Sequence, residues 1–279
     1  MTTPDSSQPT AGTEFAQREL GIPYPAFPEL LPDEVVEAGR YRVRFARTVE
    51  DLDRIERLRF EIFNLELGEG LDSAYQSGRD HDELDPFMHH LLIECRESGE
   101  VVGTYRLQTG EMAARHHGYY SASEFDLGGL AAGFLDRAVE VGRACVAKEH
   151  RNGRVLNLLW RGLALYLTRN RKRFIFGCCA LTSQDAALGL ATMQQLLRDG
   201  QVDPIRRAPP LPGLGCELAD PAEVAAREVH IPALFQSYLT LGAKVLGPPA
   251  IDRQFKTIDF LVALDVDGLD QHRYRFFFR

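Results

Sequence analysis

The order of apolar patterns along the chain predicts an α+β fold: a mixed, mostly antiparallel sheet of about seven strands with helices on both faces. Two observations carry this. Residues 91–95 and 101–107 are apolar runs joined by Glu97-Ser98-Gly99-Glu100, which reads as a hairpin of antiparallel strands. Further on, the run 139–146 leads through a basic, glycine-containing junction into a long apolar helix and then the run 174–180, a crossover that sets two strands parallel. Neighbours of that kind can splay apart. The gap is expected between residues 140–146 and 174–180.

Taken in order, residues 1–39 are rich in Pro, Ser and Thr and then repeat proline at Pro23, Pro25, Pro28 and Pro32, the composition of a mobile extension or a surface-wrapping arm. A single domain follows, 40–279. Tyr41, Val43 and Phe45 alternate with Arg42, Arg44 and Ala46 as a half-buried strand. Leu52, Ile55, Leu58, Ile62 and Phe63 share one helical face, and a loop rich in glycine and acids runs on to Asp85. After the hairpin and an irregular segment at 119–130 comes the central strand with its helix. That helix carries Val155, Leu158, Leu159, Leu163 and Tyr166 at helical spacing, while Leu156, Trp160, Ala164, Leu165 and Leu167 widen the stripe, so it must be covered on more than one side. A helix at 185–198, a Pro- and Gly-rich loop at 204–221, a helix at 231–241, strands at 243–246 and 257–264 and a short aromatic tail complete the chain.

Composition narrows the class. With 44% hydrophobic and 26% charged residues in 279, the chain can bury one sizeable core. Five cysteines, none in a C-x-x-C pair, read as reduced intracellular thiols, and no apolar stretch approaches the ~20 residues of a membrane span. The net charge of −8 argues against nucleic-acid binding. It hides a basic region, however: residues 143–173 hold nine Lys or Arg against the single acid Glu149, a place for an acidic partner to dock.

The central junction concentrates the unusual residues. Glu140 and Arg143 interrupt a strand of small and β-branched residues, where packing alone wants neither. Arg151-Asn152-Gly153-Arg154 opens the helix, where free backbone N–H groups and the helix dipole favour a bound phosphate. These pieces, with Leu58-Arg59-Phe60-Glu61-Ile62-Phe63, Val102-Gly103-Thr104-Tyr105-Arg106-Leu107, the block from Tyr120 to Leu127 and Leu159-Trp160-Arg161-Gly162, resemble the acyl-carrier-protein-dependent N-acyltransferases that make ornithine lipids. That family, often labelled hemolysins, belongs to the GNAT (Gcn5-related N-acetyltransferase) superfamily. The resemblance runs from about Arg42 to the C-terminus. It implies a GNAT-like fold, a (3-hydroxy)acyl chain arriving on the phosphopantetheine arm of acyl carrier protein, ornithine as acceptor, and no permanently bound cofactor. Separately, the imidazole and carboxylates of residues 80–85 invite a metal, but their spacing matches no metal-binding loop.

The acyl-homoserine lactone synthases are similar in the same pieces, and in their pattern the counterparts of Arg59, Asp82, Asp85, Arg106, Glu140 and Arg143 are the characteristic charged residues. The Tyr120 to Leu127 block, which contains Glu124, favours the ornithine-lipid family over the synthases. An N-acyl amino acid synthase with another acceptor stays open, because no residue here distinguishes ornithine from lysine, glutamine, glycine or tyrosine. The usual phosphate loop of the superfamily has a second glycine, whereas Gly153 is followed by Arg154-Val155-Leu156. A reduced cradle with basic side chains suits the single phosphate of a carrier-protein arm.

Amide formation from a thioester needs a neutral amine, and Glu140 is the expected proton acceptor. The backbone N–H of Cys145 or Val146 is expected to meet the thioester oxygen, with Cys145 itself a buried thiol and no nucleophile. Asp80-His81-Asp82-Glu83-Leu84-Asp85 reads as a solvated acidic loop that binds a cationic amine or orders the N-terminal helices, and Arg59 and Arg106 as its ion-pair partners. A non-enzymatic, lipid- or carrier-binding role is the alternative class. The tail from His272 to Arg279 interleaves cations with aromatics, which suits either a membrane interface or a surface packed back on the domain.

Overall fold

The computed structural model describes residues 23–216 and 220–278; positions 1–22 of the expected extension and Arg279 of the tail lie outside them. Among the described residues one sheet of nine strands forms, in the order β1-β2-β3-β4-β5-β6-β9-β7, with β8 paired to β9. The strands are β1 (Val36–Ala38), β2 (Tyr41–Phe45), β3 (His89–Cys95), β4 (Val101–Thr109), β5 (Ala138–Val146), β6 (Phe174–Leu181), β7 (Lys244–Val245), β8 (Ala250–Asp252) and β9 (Thr257–Asp265). All pairings are antiparallel except β5 with β6. Two strands exceed the expected seven. Both β1 and β8 are three residues long, too short for alternation to show.

The described part of the extension runs along the domain edge, as a surface-wrapping arm does. Ala26 and Leu31 are buried, and β1 pairs with β2.

Five helices matter for the site: α1 (Val49–Arg59), α2 (Gly153–Asn170), α3 (Ala186–Arg198), α4 (Ala233–Thr240) and α5 (Gln271–Phe278). Thr48 caps α1 through Asp51 N–H, and α1 runs on into a π-helical segment, Phe60–Glu66. Helices cover both faces of the sheet. On one, α2 packs Leu158, Leu159 and Leu163 in the core with Leu91 and Ile93, and α4 adds Phe235 and Leu239. On the other, Ile55 and Leu58 of α1 pack with Leu92. Gly162 lets α2 approach closely: a Cβ there would lie 2.4 Å from Leu91 Cδ1. The tail, read from the sequence only as a short aromatic stretch, is helix α5. Its Phe277 packs on Trp160 of α2, with ring centroids 5.7 Å apart.

Candidate active site

Pairing between β5 and β6 stops at Glu140 opposite Phe176, and the two strands then separate where the sequence placed the gap. Two local features hold them so. Gly177 brings β6 against Val141, where a Cβ would lie 2.0 Å from the Val141 carbonyl oxygen. Beyond it β5 bulges: Thr104 and Arg106 of β4 face Cys145 and Gly142, so a two-residue step on β4 spans three residues on β5. The extra residue is Arg143, whose φ of 50° is left-handed.

A cavity of about 310 Å³ passes through the sheet at this gap. On the α2 side its wall is apolar, with Trp160, Ile175, Phe235, Tyr238, Val262 and Leu264. On the other side the wall is charged or polar at Glu69, Arg106, Tyr120, Glu140, Arg143 and Asp259.

The structure brings Glu140, Arg143 and Arg106 to this gap, where the lining follows β5 from Glu140 to Ala144, one residue short of Cys145. Glu140 is 2% exposed and pairs with neither Arg143 nor Arg106. Its Oε1 accepts from Ser121 N–H at 2.7 Å and Ser121 Oγ at 2.5 Å; its Oε2 accepts from Tyr120 N–H at 3.0 Å and Gln108 Nε2 at 2.5 Å. Three of these four bonds anchor the 120–121 turn, and the fourth ties Glu140 to Gln108 of β4. Arg143 meets Asp80 and lies between two rings, 4.2 Å from the Phe63 centroid and 4.5 Å from that of Phe255. The Cys145 thiol is pushed up to about 12 by burial, which fits an inert side chain.

Arg59, Asp82 and Asp85 stand behind the wall. Arg59 bonds Asp80 (2.9 Å from Nε) and Asp85 (2.6 Å from Nη1); Arg106 bonds Asp82 (2.6 Å) and Asp85 (3.0 Å). The expected solvated loop is thus a buried ion-pair network: Asp80 and Asp85 are 1% and 0% exposed because two buried guanidiniums need their charges. Burial raises Asp85, yet Arg59 and Arg106 outweigh it and hold the carboxyl well below the usual range. His89 and His90 are structural, the first bonded to Tyr166 Oη and the Ala26 carbonyl, both at 2.7 Å.

The helix-opening residues are more self-contained than expected. Asn152 Oδ1 accepts from the N–H groups of Arg154 and Val155, each at 3.1 Å, so the helix caps itself with two of the donors assigned to a phosphate. Arg151 forms a two-pronged pair with Glu66 (2.6 and 2.7 Å), while Gly153, Lys148 and Arg154 remain exposed. Farther along the basic region, Lys172 pairs with Glu111 and Arg173 with Asp265.

Glu124 lies on the charged face with a residue that sequence reasoning passed over, Asp259. Their carboxyl oxygens and Cys178 Sγ lie within 4.8 Å of one another. Burial, then the Asp259 and Asp252 charges, push Glu124 up to about 10; burial with Asp252 pushes Asp259 up to about 7. A signal was present: Asp259 is the one acid among the apolar residues 258–264, the same irregularity that marked Glu140. Glu69 and Phe255 also reach the cavity from segments that carry no pattern, and Tyr120 reaches it from the start of the 120–127 block.

The fold and this gap define a GNAT acyltransferase, and the family model described as an acetyltransferase (GNAT) domain matches residues 58–161. Among curated proteins, the L-ornithine N(alpha)-acyltransferase of Agrobacterium fabrum is 33% identical over 247 residues, 83% of each chain. Those of Brucella abortus (32%, covering 83% of this chain and 86% of the relative) and Rhodobacter capsulatus (30%, 86% and 95%) are similar. The chain belongs to the L-ornithine N(alpha)-acyltransferase family. Looser likenesses in shape include FeeM, an N-acyl amino acid synthase from uncultured soil microbes (10% identical, TM-score 0.48, 83% of this chain and 93% of that one) and the AHL synthase LasI (12%, 0.45, 82% and 91%).

Proposed function

We propose that the chain moves a long (3-hydroxy)acyl group from the phosphopantetheine thioester of acyl carrier protein to the α-amino group of ornithine, forming lyso-ornithine lipid. One observation carries this: the cavity crosses the sheet with an apolar wall on one face and a charged wall on the other. An acyl chain and a charged amino acid then enter from opposite sides and meet at β5. Family membership supports the choice of ornithine.

The local chemistry fits. Ala147 N–H bonds the Val102 carbonyl of β4 at 2.9 Å, so the alternation of the ladder turns the Val146 N–H away from β4, toward the gap, where a thioester oxygen needs a donor. Arg143, re-aimed by the bulge, is suited to the acceptor's α-carboxylate. Asn152 leaves a small cradle, which with Lys148 and Arg154 suits one phosphate rather than a pyrophosphate. This reading puts the work in the cytoplasm, beside the inner face of the membrane where its lipid product is delivered. No helix among the described residues is long and apolar enough to cross that membrane.

The test is to mix the protein with 3-hydroxyacyl carrier protein or the matching acyl-coenzyme A and a panel of amino acids, then identify amides by mass. Acyl-ornithine should dominate and require the carrier-bound donor. Equal use of free acyl-coenzyme A would remove the carrier-protein assignment, and preference for another amino acid would remove ornithine.

A further inference from the structure

Glu124 and Asp259 have oxygens for which the fold supplies no donor. Both residues are 4% exposed, and Glu124 Oε1, Glu124 Oε2 and Asp259 Oδ1 are buried with no hydrogen-bond partner. Asp259 forms part of the charged wall of the cavity, so this unpartnered group faces the space a ligand enters. Two buried carboxyls this close cannot both ionise, because each charge penalises the other and burial penalises both. The pair therefore ionises in two separated steps, losing its first proton around neutral pH and keeping the second well above it, consistent with Asp259 near 7 and Glu124 near 10.

We infer that the Glu124–Asp259 pair is the proton acceptor for the incoming amine, with Asp259 as the carboxyl that touches it. This rests on the acyltransfer reading above. An amino acid arrives mostly as the ammonium, whose pKa is roughly 8, and its nitrogen has no lone pair for attack until one proton leaves. Asp259 takes that proton. The N–C bond then forms at the thioester carbonyl, the C–S bond breaks, the departing thiolate takes the second proton from nitrogen, and Asp259 returns the first to solvent. Ammonium and thioester thus give amide, thiol and one proton. Glu140 is a positioning residue in this scheme, its oxygens already filled by four donors.

The charged and titratable groups facing the pair come from every neighbouring element. They are Asp252 of β8, Tyr120 of the 120–121 turn, Cys178 of β6, Glu69 of the loop after α1 and Arg143 of β5. Tyr120 Oη donates to Asp252 at 3.1 Å and also lies near enough to Glu124 to pull its pKa down, against the larger upward push of burial and of Asp259. Arg143 is the cation among these groups.

The experiment measures thiol release from acylated carrier protein against pH for wild type, Asp259→Asn and Glu124→Gln. Two acceptors are compared: ornithine, and hydroxylamine, which is largely unprotonated at neutral pH. With ornithine at pH 7, Asp259→Asn should lose about 10²- to 10⁴-fold in kcat/KM, the rising limb near pH 7 should vanish, and the deficit should shrink toward pH 9. With hydroxylamine the variant should stay within about tenfold of wild type. Equal losses with both nucleophiles, or an intact limb near pH 7, would overturn the inference.

A second measurement needs no turnover. Wild type at pH 8 should show an infrared band of a protonated carboxyl that Glu124→Gln lacks, and its absence from wild type would also overturn the inference. So would a stoichiometric divalent metal in the purified protein that is lost in Asp259→Asn, because the same atoms with Cys178 would then be ligands. A wild type that acylates no amine at all sinks the acyltransfer reading, and this inference with it; active wild type with an indifferent Asp259→Asn sinks the inference alone.

Discussion

Glu140 accepts four hydrogen bonds with two oxygens, an arrangement that a carboxylate fills and an amide cannot. In Glu140→Gln the new NH₂ faces donors, leaving at least one buried donor unpartnered at a cost of about 1–3 kcal/mol. Calorimetry should show Tm lower by about 4–8 °C. The rate should fall because the Tyr120–Ser121 turn loosens, while the ionisation near pH 7 stays in the kcat/KM profile. Loss of that ionisation with an unchanged Tm would return the proton-acceptor role to Glu140. Sequence alone made Glu140 conspicuous as a charge inside an apolar strand, but its donors come from residues 108, 120 and 121, which no periodicity links to it. Asp259 was equally visible and unread, since its meaning depends on Glu124, 135 positions earlier.

At the scale of elements, the gap depends on where β5 and β6 touch and where they part. Gly177 sets the last close approach, and an added methyl would press on the backbone of Val141, a neighbour that cannot rotate away. Gly177→Ala should therefore destabilise the protein by about 1–3 kcal/mol or more, as overpacking does. It should also widen the gap and reduce acyl transfer more than Gly133→Ala, a control position where a Cβ meets nothing within 4 Å. Denaturant midpoints and steady-state rates of the two variants check this; equal behaviour would mean that the approach of β6 to β5 does not shape the site. The strands, crossover and gap were legible because apolar runs and their order fix them. The bulge at Arg143 was not, because an extra residue in one strand shows only against its partner's register. The acidic loop was misread as solvated because composition reports charge and not the two arginines that bury it.

For the whole molecule, pH sets how much of this burial survives. Burial lowers both His89 and His90 to about 4 from an ordinary 6.5. Between those values the unfolded chain binds more protons than the native one, so their contribution is full above pH 6.5 and is lost as pH falls toward 4. At pH 5 each costs on the order of 2 kcal/mol, and Tm should fall by several degrees between pH 7 and 5. His90→Gln should flatten that limb, and an unchanged slope would mean the imidazole finds water in the native state. The C-terminal helix tests closure in another way. Trp160, the chain's single tryptophan, lines the apolar wall and contacts Tyr238 of α4 and Phe277 of α5, so α5 covers the outer side of the cavity's own wall. Phe277 and Phe278 face the core, while Tyr274 and Phe276 stay 37% and 46% exposed. Deleting residues 271–279 should therefore lower Tm by several degrees and shift Trp160 emission to the red, because the indole gains water where Phe277 stood. Double substitution of Tyr274 and Phe276 by serine removes a 4.7 Å stack on Phe278 and an edge contact with Phe277, so it should lower Tm less than the deletion does while reducing sedimentation with anionic vesicles at low salt, since these exposed rings and Arg275 are what the helix can offer a membrane surface. Wild-type protein that stays in the supernatant at every vesicle concentration would reduce α5 to a packing element.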